Sequence, residues 1–115
     1  MRYILLIYGD EAAFDAMLPD QLSETGQAYE KYSVWLTEKG WMRAGDQLAD
    51  TRQATTVRET DGKVLTTDGP FAETKEQLGG YYIIECANLD EAIEAAGKLP
   101  AAKHGSVEVR PLIEM

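Results

Sequence analysis

The segment Arg2-Tyr3-Ile4-Leu5-Leu6-Ile7-Tyr8 limits this chain more than any other. In an extended strand it places Tyr3, Leu5 and Ile7 on one face and Ile4, Leu6 and Tyr8 on the other. Both faces are apolar, so both need cover. Helical spacing recurs only twice in the remaining sequence. From about 21 to 39, Ala28, Tyr29, Tyr32, Trp35 and Leu36 fall on one side, with Asp20 predicted as N-cap after Pro19 and Gly40 closing the helix. A second helix follows Asn88, the predicted N-cap, with Glu91 reaching back. Its predicted buried stripe is Leu89, Ala92, Ile93 and Ala96, ending before Pro100. Two helices cover one face of a sheet. The other face calls for a second subunit, and the economical arrangement is a homodimer with two sheets packed face to face.

The other segments complete an α+β chain with an antiparallel sheet, read as a single domain over residues 1–115. Residues 9–19 are predicted as loop and 41–48 as a short strand. Asp61-Gly62 predicts a two-residue hairpin turn between Thr55–Arg58 and Lys63–Thr66. Tyr81–Cys86 and Val107–Ile113 are the remaining predicted strands.

Composition narrows the functional classes. The formal net charge is −9, which repels a phosphate backbone, and the lysines and arginines form no basic patch; direct nucleic-acid binding is not expected. No apolar run reaches the roughly 20 residues needed to cross a bilayer. The first apolar run is too short for a signal peptide and is followed at once by Gly9-Asp10-Glu11, so a cytoplasmic location is expected, with no membrane partner. Cys86 is the one cysteine and reads as a packing residue in an apolar strand. No ligand-spacing motif for a metal and no glycine-rich phosphate loop is present, so neither metal nor cofactor is expected.

The densest stretch of chemistry is Asp68-Gly69-Pro70-Phe71-Ala72-Glu73-Thr74-Lys75-Glu76-Gln77-Leu78-Gly79-Gly80. Glycine before proline keeps backbone options that other residues lose, and Pro70 suits the first position of a helical turn. One such turn is predicted here, with Phe71 and Leu78 anchoring it to the core. Asp68 then sits at a helix start, which favours its carboxylate form. Asp68 either caps the turn, leaving Glu73, Lys75 and Glu76 as solvated surface, or orients a substrate. With His104-Gly105-Ser106-Val107-Glu108-Val109-Arg110-Pro111 near the C-terminus, this motif resembles the YCII-related family in its DGPF branch. The resemblance implies a ferredoxin-like subunit forming a dimeric α/β barrel with a site in a cleft at the dimer interface. Better-defined YCII relatives resemble enzymes through a His–Asp pair lining a cleft; here the single histidine lies late in the chain, with none in the first helix or on an early strand, and that pair is not carried over.

Candidate site residues follow. His104 is the only imidazole, either an exposed loop residue or a group for proton transfer. A Ser106–His104–Asp68 triad has no supporting motif. Glu108 and Arg110 share one face of the last strand. They form either a surface ion pair or, in a cleft, an anion-binding group beside Tyr8. Asp68 and His104 are the candidate catalytic residues; Arg110, Glu73, Lys75, Glu108 and Tyr8 are candidate ligand contacts. Two functions fit: binding, with or without transformation, of a small polar or anionic molecule, or a non-catalytic regulatory module. The DGPF resemblance implies for the second a protein partner linked to an extracytoplasmic-function sigma factor.

Overall fold

The computed structural model describes residues 1–115. Strand β1 (Arg2–Gly9) leads through a short helix α1 (Glu11–Asp15) into the long helix α2 (Pro19–Glu38) and the strand β2 (Met42–Gln47). A hairpin of β3 (Thr55–Thr60) and β4 (Lys63–Asp68) follows, then β5 (Gln77–Glu85), helix α3 (Leu89–Gly97) and β6 (Ser106–Pro111). Four strands form an antiparallel sheet in the order β2-β5-β1-β6, while β3 and β4 pair only with each other. With the hairpin set aside, the order is β-α-β-β-α-β.

Local signals explain most boundaries. α2 ends at Gly40, whose φ of 75° is the left-handed conformation glycine accepts. Its start differs from the prediction: Leu18, not Asp20, is the N-cap, because Pro19 takes the first helical position and the Gln21 side chain accepts from the Leu18 N–H at 2.9 Å. The predicted loop 9–19 contains α1, started by the Asp10 carboxylate accepting from the Ala12 N–H at 2.9 Å. Asn88 caps α3 as predicted, accepting from the Glu91 N–H at 3.0 Å. β5 begins four residues earlier than predicted, so Gly79 and Gly80 lie inside the strand. The last strand stops at Pro111, leaving Ile113 exposed beyond it.

The core lies on one face of the sheet. Tyr3, Leu5, Tyr82 and Ile84 meet Tyr32 and Leu36 of α2 and Ala92, Ala95 and Ala96 of α3. Each fully buried aliphatic side chain such as Leu5 or Leu36 contributes about 1.5–3 kcal/mol. The predicted stripe of α3 is rotated: Leu89 and Ile93 are 50% and 53% exposed, and Ala95 takes their place. Small side chains bring α3 close enough for the Tyr32 hydroxyl to donate to the Ala95 carbonyl at 2.6 Å. Cys86 is buried, and that burial pushes its thiol pKa up. The opposite phase of the strands, Ile4, Leu6, Tyr81 and Ile83, contributes nothing to the core and is half-buried.

The hairpin turns at Asp61 and Gly62, both at positive φ, as the Asp-Gly pair predicts. Beyond it the prediction fails. No helical turn follows Asp68, and Phe71 is 80% exposed instead of anchored in the core. Gly69 adopts φ 94° and donates its N–H to the Ala54 carbonyl at 2.7 Å. That contact closes the hairpin base and sends Pro70-Phe71 outward. The helix-start environment expected for Asp68 is therefore absent.

The subunit is thin, 48 × 44 × 19 Å, with a radius of gyration of 16.1 Å against about 13 Å for a compact domain of this length. Its accessible surface is 8198 Å², where a monomer of 12.7 kDa exposes about 6,200 Å².

Candidate functional site

Two places concentrate polar chemistry. The first is the open sheet face, where Ile4 and Leu6 of β1 pair with Ile83 and Tyr81 of β5. On the β6 side, Leu6 lies opposite Glu108 and Ile4 opposite Arg110. The Arg110 guanidinium donates to the Glu108 carboxylate through Nη2 and through Nε at 2.9 Å, and the Tyr8 hydroxyl donates to the other carboxylate oxygen at 3.4 Å. Glu108 thereby holds the Arg110 guanidinium even more firmly protonated. At the β2 side, the Tyr81 hydroxyl donates to Asp46 at 2.7 Å, and this bond raises the Tyr81 pKa. The face is an apolar strip with a charged pair on one border and a phenol–carboxylate pair on the other.

The second is a cleft of about 1270 Å³ between α1, the stretch of α2 from Leu22 to Trp35, the turn Pro100–Lys103 and one end of the sheet. All the residues named below belong to one chain. Ile7, Gly45, Gly80 and Tyr82 contribute from the sheet, and Tyr29 and Ser33 from α2. The Ser33 and Tyr82 hydroxyls are hydrogen-bonded at 3.0 Å. Burial raises the Tyr29 pKa, and Tyr82 nearby adds to the shift, so the phenol stays neutral and able to donate. The glycines make room: a Cβ on Gly45 would come within 2.8 Å of the Tyr82 ring, and one on Gly80 within 3.0 Å of the Asp46 carbonyl. A Cβ on Gly105 would overlap the Tyr8 carbonyl. Glycine lets this connection lie against the end of β1, which sets the neighbouring His104 on the cleft wall.

The predicted site residues divide accordingly. Tyr8, Glu108 and Arg110 come together through hydrogen bonds, while Tyr8 and His104 both line the cleft. Asp68, Glu73 and Lys75 are exposed on the hairpin end and the loop after it, and none belongs to an ion pair. The Ser106 hydroxyl donates to Glu76 at 2.7 Å and not toward His104, so no triad is assembled. Sequence reasoning missed Gly45, Gly80, Tyr29, Ser33 and Tyr82 as cleft residues. The signal available for them was glycine at Gly45 and Gly80 inside strands, a mark of close approach. No cluster of three or more His, Cys, Asp or Glu side chains is placed to hold a metal ion. No helix is long and apolar enough to cross a membrane.

The fold defines an α+β protein with a four-stranded antiparallel sheet covered by helices on one face. The chain belongs to the YCII-related domain family, which it matches over residues 1–115. It is 40% identical over 114 residues to an uncharacterised protein of Rhizobium meliloti (strain 1021), covering 97% of this chain and 92% of that relative.

Proposed function

We propose that this chain is a homodimer of ferredoxin-like subunits of the DGPF branch, closed into an α/β barrel, and that each subunit binds a small molecule in its own cleft. The cleft carries the reading. It is large, its walls mix apolar groups with the Tyr29, Tyr82 and Ser33 hydroxyls, and it holds the chain's only imidazole. Such a lining suits a small molecule with an apolar or ring body and one or two polar groups. His104 is the group for proton transfer, and the neutral Tyr29 phenol fixes the ligand's orientation by hydrogen bonding. Tyr8 links the cleft to the open face, where Arg110 receives an anionic ligand group only if that group replaces Glu108. The dimer is supported by the apolar open face and by about 2,000 Å² of surface beyond that of a monomer this size. Large permanent interfaces bury a comparable area on each partner, about 1,000–2,500 Å².

Native mass spectrometry of gently purified protein, paired with NMR screening of small polar aromatic fragments, tests the binding. Fragments are expected to shift the His104 and Tyr29 signals and to lose binding in Thr25→Trp, which fills the cleft. A library that moves no cleft signal overturns the reading.

A further inference from the structure

The β3–β4 hairpin pairs with no other strand of its own chain. An isolated two-stranded hairpin is marginal in water and needs a third strand or a packed face. Here β3 and β4 form a separate sheet, and every residue of both except Thr56 is exposed. The exposed side chains include Val57 at 61%, Val64 at 68% and Leu65 at 51%, with Phe71 beyond the hairpin base at 80%. Phe71 follows Gly69, whose backbone is left-handed at φ 94°, and its ring finds no cover in its own chain.

We propose that the hairpin and the following loop form an arm that packs on a second copy of this chain, supplying Asp68, Phe71 and Lys75 to the other subunit. The inference rests on the dimer proposed above. Three observations select a second copy as the occupant. The accessible surface beyond a monomer's expectation is about 2,000 Å², and the exposed arm contributes to it. Six-residue strands reach about 20 Å, enough to cross a subunit only 19 Å thick. The arm is also nearly neutral: residues 55–75 hold three Lys or Arg against four Asp or Glu. It therefore approaches a second chain of charge −9 without strong repulsion, and lacks the acidity that a basic partner protein would select. In this arrangement Asp68 and Lys75, which join no ion pair in their own chain, act in the other subunit.

The test is photocrosslinking from position 71. Phe71→Cys is labelled with benzophenone-maleimide; Cys86 is buried with a raised thiol pKa and stays unlabelled. Labelled chains of ordinary and ¹⁵N composition are mixed, equilibrated, irradiated and digested. The expected product has twice the chain mass and contains crosslinked peptide pairs of mixed isotope content. Val64→Asp, a substitution at an exposed site, is expected to cut that product at least about tenfold and to weaken the dimer by a similar factor. A dimer in native mass spectra whose crosslinks stay within one chain, or whose affinity Val64→Asp leaves unchanged, overturns the arm and leaves the sheet-face dimer standing. A monomer in the same spectra overturns both.

Discussion

The two faces of the central sheet are built from the same strands and nearly the same residue types, yet they end in different environments. Tyr3, Leu5, Tyr82 and Ile84 disappear beneath α2 and α3, whereas Ile4, Leu6, Tyr81 and Ile83, one residue out of phase, stay half-exposed. The helix-covered face closes because α3 offers alanines and Tyr32 finds the Ala95 carbonyl. The open face has no such element, and its polar groups pair along the borders, Glu108 with Arg110 and Asp46 with Tyr81. The first face stabilises the folded chain; the second is the surface that the proposed dimer would cover. Strands alone do not distinguish the two faces, and helix placement does.

The comparison breaks most readily at Leu5 and Leu6. Leu5→Ala is expected to cost about 3 kcal/mol in urea unfolding at any protein concentration, because a fully buried side chain leaves a cavity. Equal losses for Leu5→Ala and Leu6→Ala at concentrations where the protein is monomeric would erase the difference between the faces. Next in size, Leu6→Asp is expected to weaken the dimer at least 100-fold, about 2.7 kcal/mol, with the helical circular dichroism unchanged. Sedimentation at a series of concentrations reads this directly, and an unaltered dimer would mean that another surface joins the subunits.

Tyr32→Phe sharpens the comparison from the covered side. Losing the hydrogen bond to Ala95 is expected to cost about 1 kcal/mol in the same unfolding assay. The smallest effect is with pH. Burial raises the pKa of Cys86, Tyr29 and Tyr32, so the folded chain keeps protons that the unfolded chain releases. Their contribution is complete below the unfolded values and is lost as pH rises, beginning near pH 8.5 for the thiol and about 10 for the phenols. Urea midpoints should fall across that range. A midpoint that rises would contradict the burial of these groups.

Much of the architecture was legible because local chemistry decided it. Asp61-Gly62 specifies a tight hairpin, Gly40 a helix end and Asn88 a helix start, each through one backbone conformation or one side-chain hydrogen bond. The face of α3 was not legible. Leu89 and Ile93 are larger and more apolar than Ala95, but the close approach to the sheet favours the smaller side chain. Phe71 was misplaced for a related reason. Its hydrophobicity predicts burial, while the left-handed Gly69 backbone and its bond to Ala54 direct it away from the subunit. The cleft was legible only in outline: glycine inside a strand announces close approach, but not which ring or helix approaches.

By itself the sequence determined the order of the strands and the two main helices, the apolar character of both sheet faces and the tight turns, because alternation, capping and glycine geometry act over a few residues. It also determined membership of the YCII-related family, through motifs that span the chain. Only the tertiary structure decided which face the helices cover, that Tyr8 meets Glu108 and Arg110 while Asp68 does not, and that a cleft opens beside Gly45 and Gly80. Those outcomes depend on contacts between segments far apart in the chain, where shape and backbone approach outweigh the hydrophobicity of any single residue.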